Sequence, residues 1–329
     1  MNISSNRNRA WQFCLALLFL LFCLTCTGCL GESRGEQNQQ KAAYTVVDSR
    51  GKEVSFQQKP QRIISNSVFV DEMLLDMVDN KRLVALSKWV HDEELSYSHE
   101  QAKAVPTIVE NNIEAVVKLQ PDLVLLPDNA KEEFILGLED MGMKVYVYKA
   151  IYSIHDIPSQ LQELGAAVDE RQRAATMVAQ LESKLALYRE KLKSLPEEKR
   201  PSALLIQSFG AIGGSGCVFH DVLQAAGIKD AYDKVRDSRV QLDGMQRILT
   251  KEEAVASNPD FIIMGGWSQG GKHKSQQEQF EAMYNDPAYA SIEAVKQRHV
   301  IYVPASCVNC LSHNVVLGIE ELHNAVYGK

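Results

Sequence analysis

The stretch ERQRAATMVAQLESKLALYREKLKS, residues 170–194, decides the fold. Its apolar positions Ala174, Met177, Leu181, Leu185 and Leu192 recur at helical spacing, and charged and polar side chains fill most of the rest. That is an amphipathic helix, and at 1.5 Å per residue it is about 38 Å long. It stops at LPEEKRP, residues 195–201, a charged break bounded by two prolines. A helix this long reads as a stiff spine and not as a loose linker. It either bridges two α/β halves or belongs to a single α/β domain with an unusually long helix.

The flanks favour two halves. Before the spine, the runs RIIS (62–65), LVAL (83–86), LVLL (123–126) and VYVY (145–148) alternate with helical stretches, the first from about residue 70 through 78. After it, ALLI (203–206), FIIM (261–264) and VIYV (300–303) repeat the pattern. Short apolar runs between helices argue for mostly parallel sheets. The expected architecture is two α/β lobes bridged by one long rigid helix, with a ligand cleft between the lobes. The boundaries are an N-terminal lobe over 44–154, a linker including the spine over 155–200, and a C-terminal lobe over 201–329. In open parallel sheets, ligands bind beyond the carboxyl ends of the strands. That rule nominates Ser67, Trp89, His91, Asn129 and Tyr152 in the first lobe. In the second it nominates Phe209, Gly213 and Trp267. The aromatic faces suit a macrocycle or an aromatic chelate.

The chain has 329 residues and a formal charge of -7. Arg7, Arg9 and an apolar run from Phe13 to Leu24 form an export signal, too short to span a bilayer comfortably. Cys26-Thr27-Gly28-Cys29 resembles a bacterial lipobox. The resemblance implies a lipoprotein signal peptide over 1–28 and acylation of Cys29 with palmitate-type chains, a double anchor adequate for stable attachment. Residues 29–43 form a flexible tether, polar and without large apolar side chains from Gly31 to Ala43. Loss of Arg7 and Arg9 leaves 33 basic against 42 acidic residues. An acidic chain lacks the basic footprint of a nucleic-acid partner. The expected location is extracytoplasmic, lipid-anchored to the cell membrane.

Several segments resemble one family in its own order: YTVVDSRG (44–51), PQRIIS (60–65), DEML (71–74), IEAVVKLQPDLV (113–124) and LTKEEAVASNPDFII (249–263). They are similar to ABC-transporter substrate-binding proteins of the subgroup that captures iron–siderophore complexes, haem and cobalamin. The resemblance implies two lobes on a helical backbone and a non-enzymatic monomer that carries a metal complex and has no intrinsic cofactor. It also implies delivery to a permease dimer with its ATPase, docked through one glutamate per lobe; Glu72 and Glu252 fit those positions.

Once the signal and the lipid site are set aside, Cys217, Cys307 and Cys310 remain. With His220 and His313 they follow second-lobe strands, so thiolate and imidazole groups suited to zinc, copper(I) or haem iron could converge. Cys307 and Cys310 also read as a disulfide, or as the redox pair of a thiol–disulfide protein. A receptor for a free metal ion is a further reading. The cleft segments supply only Lys88 and Lys149 as cations, which favours haem, cobalamin or another weakly anionic chelate.

Overall fold

A hairpin of β1 (Tyr44–Val47) and β2 (Glu53–Phe56) leads into a five-stranded sheet. Its strands are β3 (Ile63–Ser65), β4 (Leu83–Ser87), β5 (Ile108–Val109), β6 (Leu123–Pro127) and β7 (Val145–Tyr148), all parallel, in the order β5-β4-β3-β6-β7. The helices between them are α1 (Val68–Met77), α2 (His99–Ala102), α3 (Ile113–Lys118) and α4 (Glu132–Asp140). This computed structural model describes residues 43–207, 210–214, 217–236, 247–265 and 275–328. The expected signal peptide, Cys29, nearly all of the tether, Phe209 and Trp267 lie outside the described residues.

Two helices, α5 (Ile157–Ala167) and α6 (Arg171–Lys193), carry the chain to a second sheet. The sequence placed one long helix at 170–194 within the 155–200 linker; the linker also holds a second helix, packed against the first. A Cβ on Gly165 would overlap the side chain of Ala174, so glycine there lets α5 and α6 approach closely. Helix α6 runs 23 residues, about 34 Å, and buries Ala174, Met177, Leu181 and Leu192 as its periodicity requires.

The second sheet contains β8 (Ser202–Gln207), β9 (Gly210–Gly213), β10 (Lys229–Asp230), β11 (Arg247–Leu249), β12 (Phe261–Gly265) and β13 (Val300–Val303). Its order is β11-β9-β8-β12-β13, with β10 pairing to the start of β8. Strand β9 begins too soon after β8 for a crossover, so it pairs antiparallel; β12 lies parallel to both β8 and β13. The helices are α7 (Val218–Ala226), α8 (Lys251–Ser257), α9 (Gln276–Asn285), α10 (Glu293–Lys296), α11 (Ala305–Asn309) and α12 (Val315–Tyr327). No helix among the described residues is long and apolar enough to cross a membrane.

The central strands read as unbroken apolar runs because both sheet faces are covered. Alternate residues part company as the pleat demands. Ile63, Leu123, Leu125, Ala203 and Leu205 join one continuous core with Met73 of α1, Met177 of α6, Phe219 of α7 and Ile319 of α12. Val124 and Leu126 face a private cluster in the first lobe, and Leu204 and Ile206 face another in the second. The two lobes thus share the core behind the cleft and keep separate cores outside it.

The lobes also repeat one another. NIEAVVKLQPDLVLL (112–126) and TKEEAVASNPDFIIM (250–264) each run from a helix cap, through a short helix and a proline, into a central strand. Gln120 and Asn258 both sit at positive φ, 50° and 36°. Asp122 accepts hydrogen bonds from the amides of Gln61 and Arg62, and Asp260 accepts one from the amide of Ser202. Helices α1 and α7 open with VFVD and VFHD respectively.

Candidate functional site

The carboxyl ends of the two sheets meet. The amide of Ser306, past β13, donates to the carbonyl of Glu94 at 2.8 Å, and Tyr302 Oη donates to Glu94 Oε2 at 3.1 Å. The first-lobe side is built on four strand exits. Beyond β3, Asn66 Nδ2 donates to Asn111 Oδ1 at 2.6 Å, and half-buried Ser67 precedes α1. Beyond β4, Trp89 is 41% exposed, with Lys88 Nζ 4.4 Å from its ring centroid. Two residues on, burial holds the His91 imidazole below the usual histidine range, and its Nε2 is buried without a partner. Beyond β6, Asn129 is exposed in a turn; beyond β7, Tyr152 is 44% exposed. Asp128 Oδ1 accepts from the amide of Ala150 at 3.0 Å and ties those two exits together. All five first-lobe residues named from the sequence therefore lie at strand exits. On the second-lobe side Gly213 serves the core instead. A Cβ there would overlap Tyr232, so this glycine admits a buried tyrosine and not a ligand.

The thiols and imidazoles do not converge. Cys217, Cys307 and Cys310 are free and buried. The Cys217 thiol donates to the carbonyl of Gly214 at 3.0 Å and that of Cys307 to the carbonyl of Gly318 at 3.3 Å. His220 Nδ1 lies 3.2 Å from Asp230 Oδ2, whose carboxylate raises the histidine's pKa. His313 Nε2 lies 2.7 Å from Asp76 Oδ2. Burial pushes the thiols of Cys307 and Cys310 well above the usual range, with the Glu72 charge adding to the effect on Cys310. The expected disulfide or shared metal site at these five residues is corrected accordingly: each group has its own local partner. Among the described residues, no group of three or more His, Cys, Asp or Glu is placed to hold a metal ion.

The two expected docking acids part ways as well. Glu252 is exposed in the first turn of α8, where Thr250 and Glu253 form a capping box. Glu253 also pairs with Arg247 at 2.5 Å. Glu72 is only 1% exposed. Its Oε1 accepts from Ser96 Oγ at 2.6 Å and from the amide of Tyr97 at 2.8 Å. Its Oε2 accepts from Ser312 Oγ, from Asn314 Nδ2 at 3.4 Å and from the Cys310 thiol at 3.6 Å. A carboxylate enclosed by its own fold offers no charge to a partner, so the expectation for Glu72 is corrected. The repeat supplies the equivalent of Glu252: Glu114, exposed, two residues after the Asn112 cap that accepts from the amide of Ala115 at 3.0 Å. Aligning residues 112–126 with 250–264 is the signal that finds it.

Similarity to known proteins follows the same outline. An uncharacterized ABC transporter substrate-binding lipoprotein of Bacillus subtilis (strain 168) is 23% identical over 303 residues, covering 90% of this chain and 89% of the relative. A cobalamin-binding protein of Halobacterium salinarum is 21% identical over 222 residues, covering 67% of this chain and 58% of its own. The apo periplasmic haem-binding protein RhuT of Roseiflexus sp. RS-1 superposes with a TM-score of 0.68 at 17% identity, covering 81% of this chain and 98% of that one. The periplasmic binding protein family model matches residues 63–307, most of both lobes and the whole spine, and the chain belongs to that family.

Proposed function

We propose that this protein is the lipid-anchored, monomeric receptor of an ABC importer, acylated at Cys29, and that its cleft carries a metal chelate: haem, cobalamin or an iron–siderophore. The observation that carries the reading is the pair of exposed aromatic faces, Trp89 and Tyr152, at the exits of β4 and β7. Large flat apolar faces beside a few polar groups suit a chelate better than a bare ion. A bare ion calls for several converging side-chain ligands. The names of the cobalamin-binding relative and of the haem-binding neighbour point the same way. Docking to the permease and its ATPase falls to Glu252 and Glu114, whose exposed charges would steer the encounter.

The chain is read as a binding module and not as an enzyme. A redox role for Cys307 and Cys310 requires an accessible thiolate, whereas both thiols are buried with raised pKa. The test is the absorbance spectrum and metal content of protein purified from its native host. Titration of stripped protein with haem, cobalamin, ferric chelates, and free zinc or manganese follows. Saturable binding of one chelate is expected; binding of free ions alone would overturn the reading.

A further inference from the structure

The buried acids of the two equivalent helices form a reciprocal arrangement that neither docking nor ligand contact explains. Helix α1 and helix α7 stand at matching places in the repeat, each opening with Val-Phe-x-Asp. From α1, Glu72 divides its two oxygens between the lobes. Oε1 is held by Ser96 and Tyr97 of its own lobe, and Oε2 by Ser312, Asn314 and the Cys310 thiol of the other. From α7, buried Asp221 reaches the opposite way. Its Oδ2 accepts from Ser153 Oγ at 2.6 Å and from the amide of Ile154 at 3.1 Å, just past β7 of the first lobe. Each lobe thus sends a carboxylate from its equivalent helix to a serine hydroxyl in or near the other.

Neither carboxylate has a lysine or arginine within ion-pair distance among the described residues. A buried charge held only by hydrogen bonds depends on all of its donors, and losing one costs more than a surface bond would. The geometry of the donors is therefore also the geometry of the lobes. We infer that Glu72 and Asp221 are positioning residues: a crossed pair of carboxylate clasps that fixes the angle between the lobes and so the width of the cleft. The affinity consequence rests on the receptor reading above, whereas the angle does not.

The experiment measures both in the full chain. Labels at Glu133→Cys on α4 and Ala282→Cys on α9, both exposed, report the distance between the lobes without ligand. Ser153→Ala combined with Ser312→Ala removes one cross-lobe donor from each clasp. The expected result is a longer, broader distance and about tenfold faster loss of whichever of haem, cobalamin or a ferric chelate binds. Ser96→Ala deletes a hydroxyl from the same-lobe side of Glu72 and should leave the distance unchanged. Ser153→Thr, which keeps the hydroxyl, should also match the parent. An unchanged distance in the double variant, or equal widening in Ser96→Ala, would overturn the proposal. A widened distance in a protein that binds none of the chelates supports the clasps and counts only against the receptor reading. If the double variant fails to fold, Ser153→Ala alone replaces it, with a smaller widening expected and an unchanged distance again overturning the clasps.

Discussion

Glu114 and Glu72 are both glutamates near the start of first-lobe helices, and their surroundings give them opposite capacities. Glu114 stands at an outer rim, its charge open to solvent, in a short helix whose partner across the repeat carries Glu252. Glu72 lies in the seam between the lobes, with five hydrogen-bond donors around it, the Cys310 thiol among them. A rim charge can be met by a partner's opposite charge and contributes little to stability. A seam charge is already spoken for, and its removal strands every donor around it. Local sequence marks both as helix-start acids; burial separates them.

The comparison is most sharply tested at the rim. Glu114→Lys combined with Glu252→Lys should lower uptake in cells by about tenfold or more. Thermal stability should change by no more than about 0.5 kcal/mol per site, and ligand titration should match the parent. A loss of stability comparable to that of a seam variant would erase the distinction. At the seam, Glu72→Ala should cost about 3 kcal/mol, because Ser96, Tyr97, Cys310, Ser312 and Asn314 lose a buried acceptor. Denaturant unfolding measures that, and a cost below about 0.5 kcal/mol would place Glu72 with the rim acids after all.

Effects confined to the acid pH range separate two further acids of α1. Burial pushes Asp71 up to about 6, and its one firm hydrogen bond is from the amide of Ser87 at 2.9 Å. A carboxyl raised in the folded state favours folding most when protonated. Its contribution is full below the unfolded value of 3.8, declines as pH rises to about 6, and is constant above. Asp71→Asn should remove that decline, worth at most about 3 kcal/mol. Asp76 has the opposite sign: hydrogen bonding to His313 holds it below the usual carboxylate range. Its stabilisation is present above that range and is lost as pH falls through its depressed folded value. Asp76→Asn should lower stability at neutral pH and lessen the loss on acidification. Melting curves across the acid range read both slopes.

Periodicity made the architecture legible. The spine and the long strands needed only apolar spacing, because a stripe of side chains every three or four residues has one way to be buried and a run covered on both faces has another. The short strands β5, β9, β10 and β11 escaped, since two to four residues carry too little pattern to register. The first-lobe residues named from the sequence do lie at strand exits, because strand exits follow from topology. Glu72, Gly213 and the cysteines were misjudged for a common reason: each role is set by a neighbour far away in sequence. Ser312 lies 240 positions from Glu72. Tyr232 decides Gly213, and Gly318 satisfies Cys307. The equivalence of residues 112–126 and 250–264 was available throughout and needed only the chain to be aligned with itself.

One apolar interior runs unbroken from α1 through α6 to α7 and α12. Cutting the polypeptide between the spine and β8 would therefore leave two fragments, each with a raw greasy flank and no means of covering it. Neither half is a portable module. A working receptor must be made, exported and folded as a whole, and engineering that swaps one half for a relative's must carry the matching flank along with it.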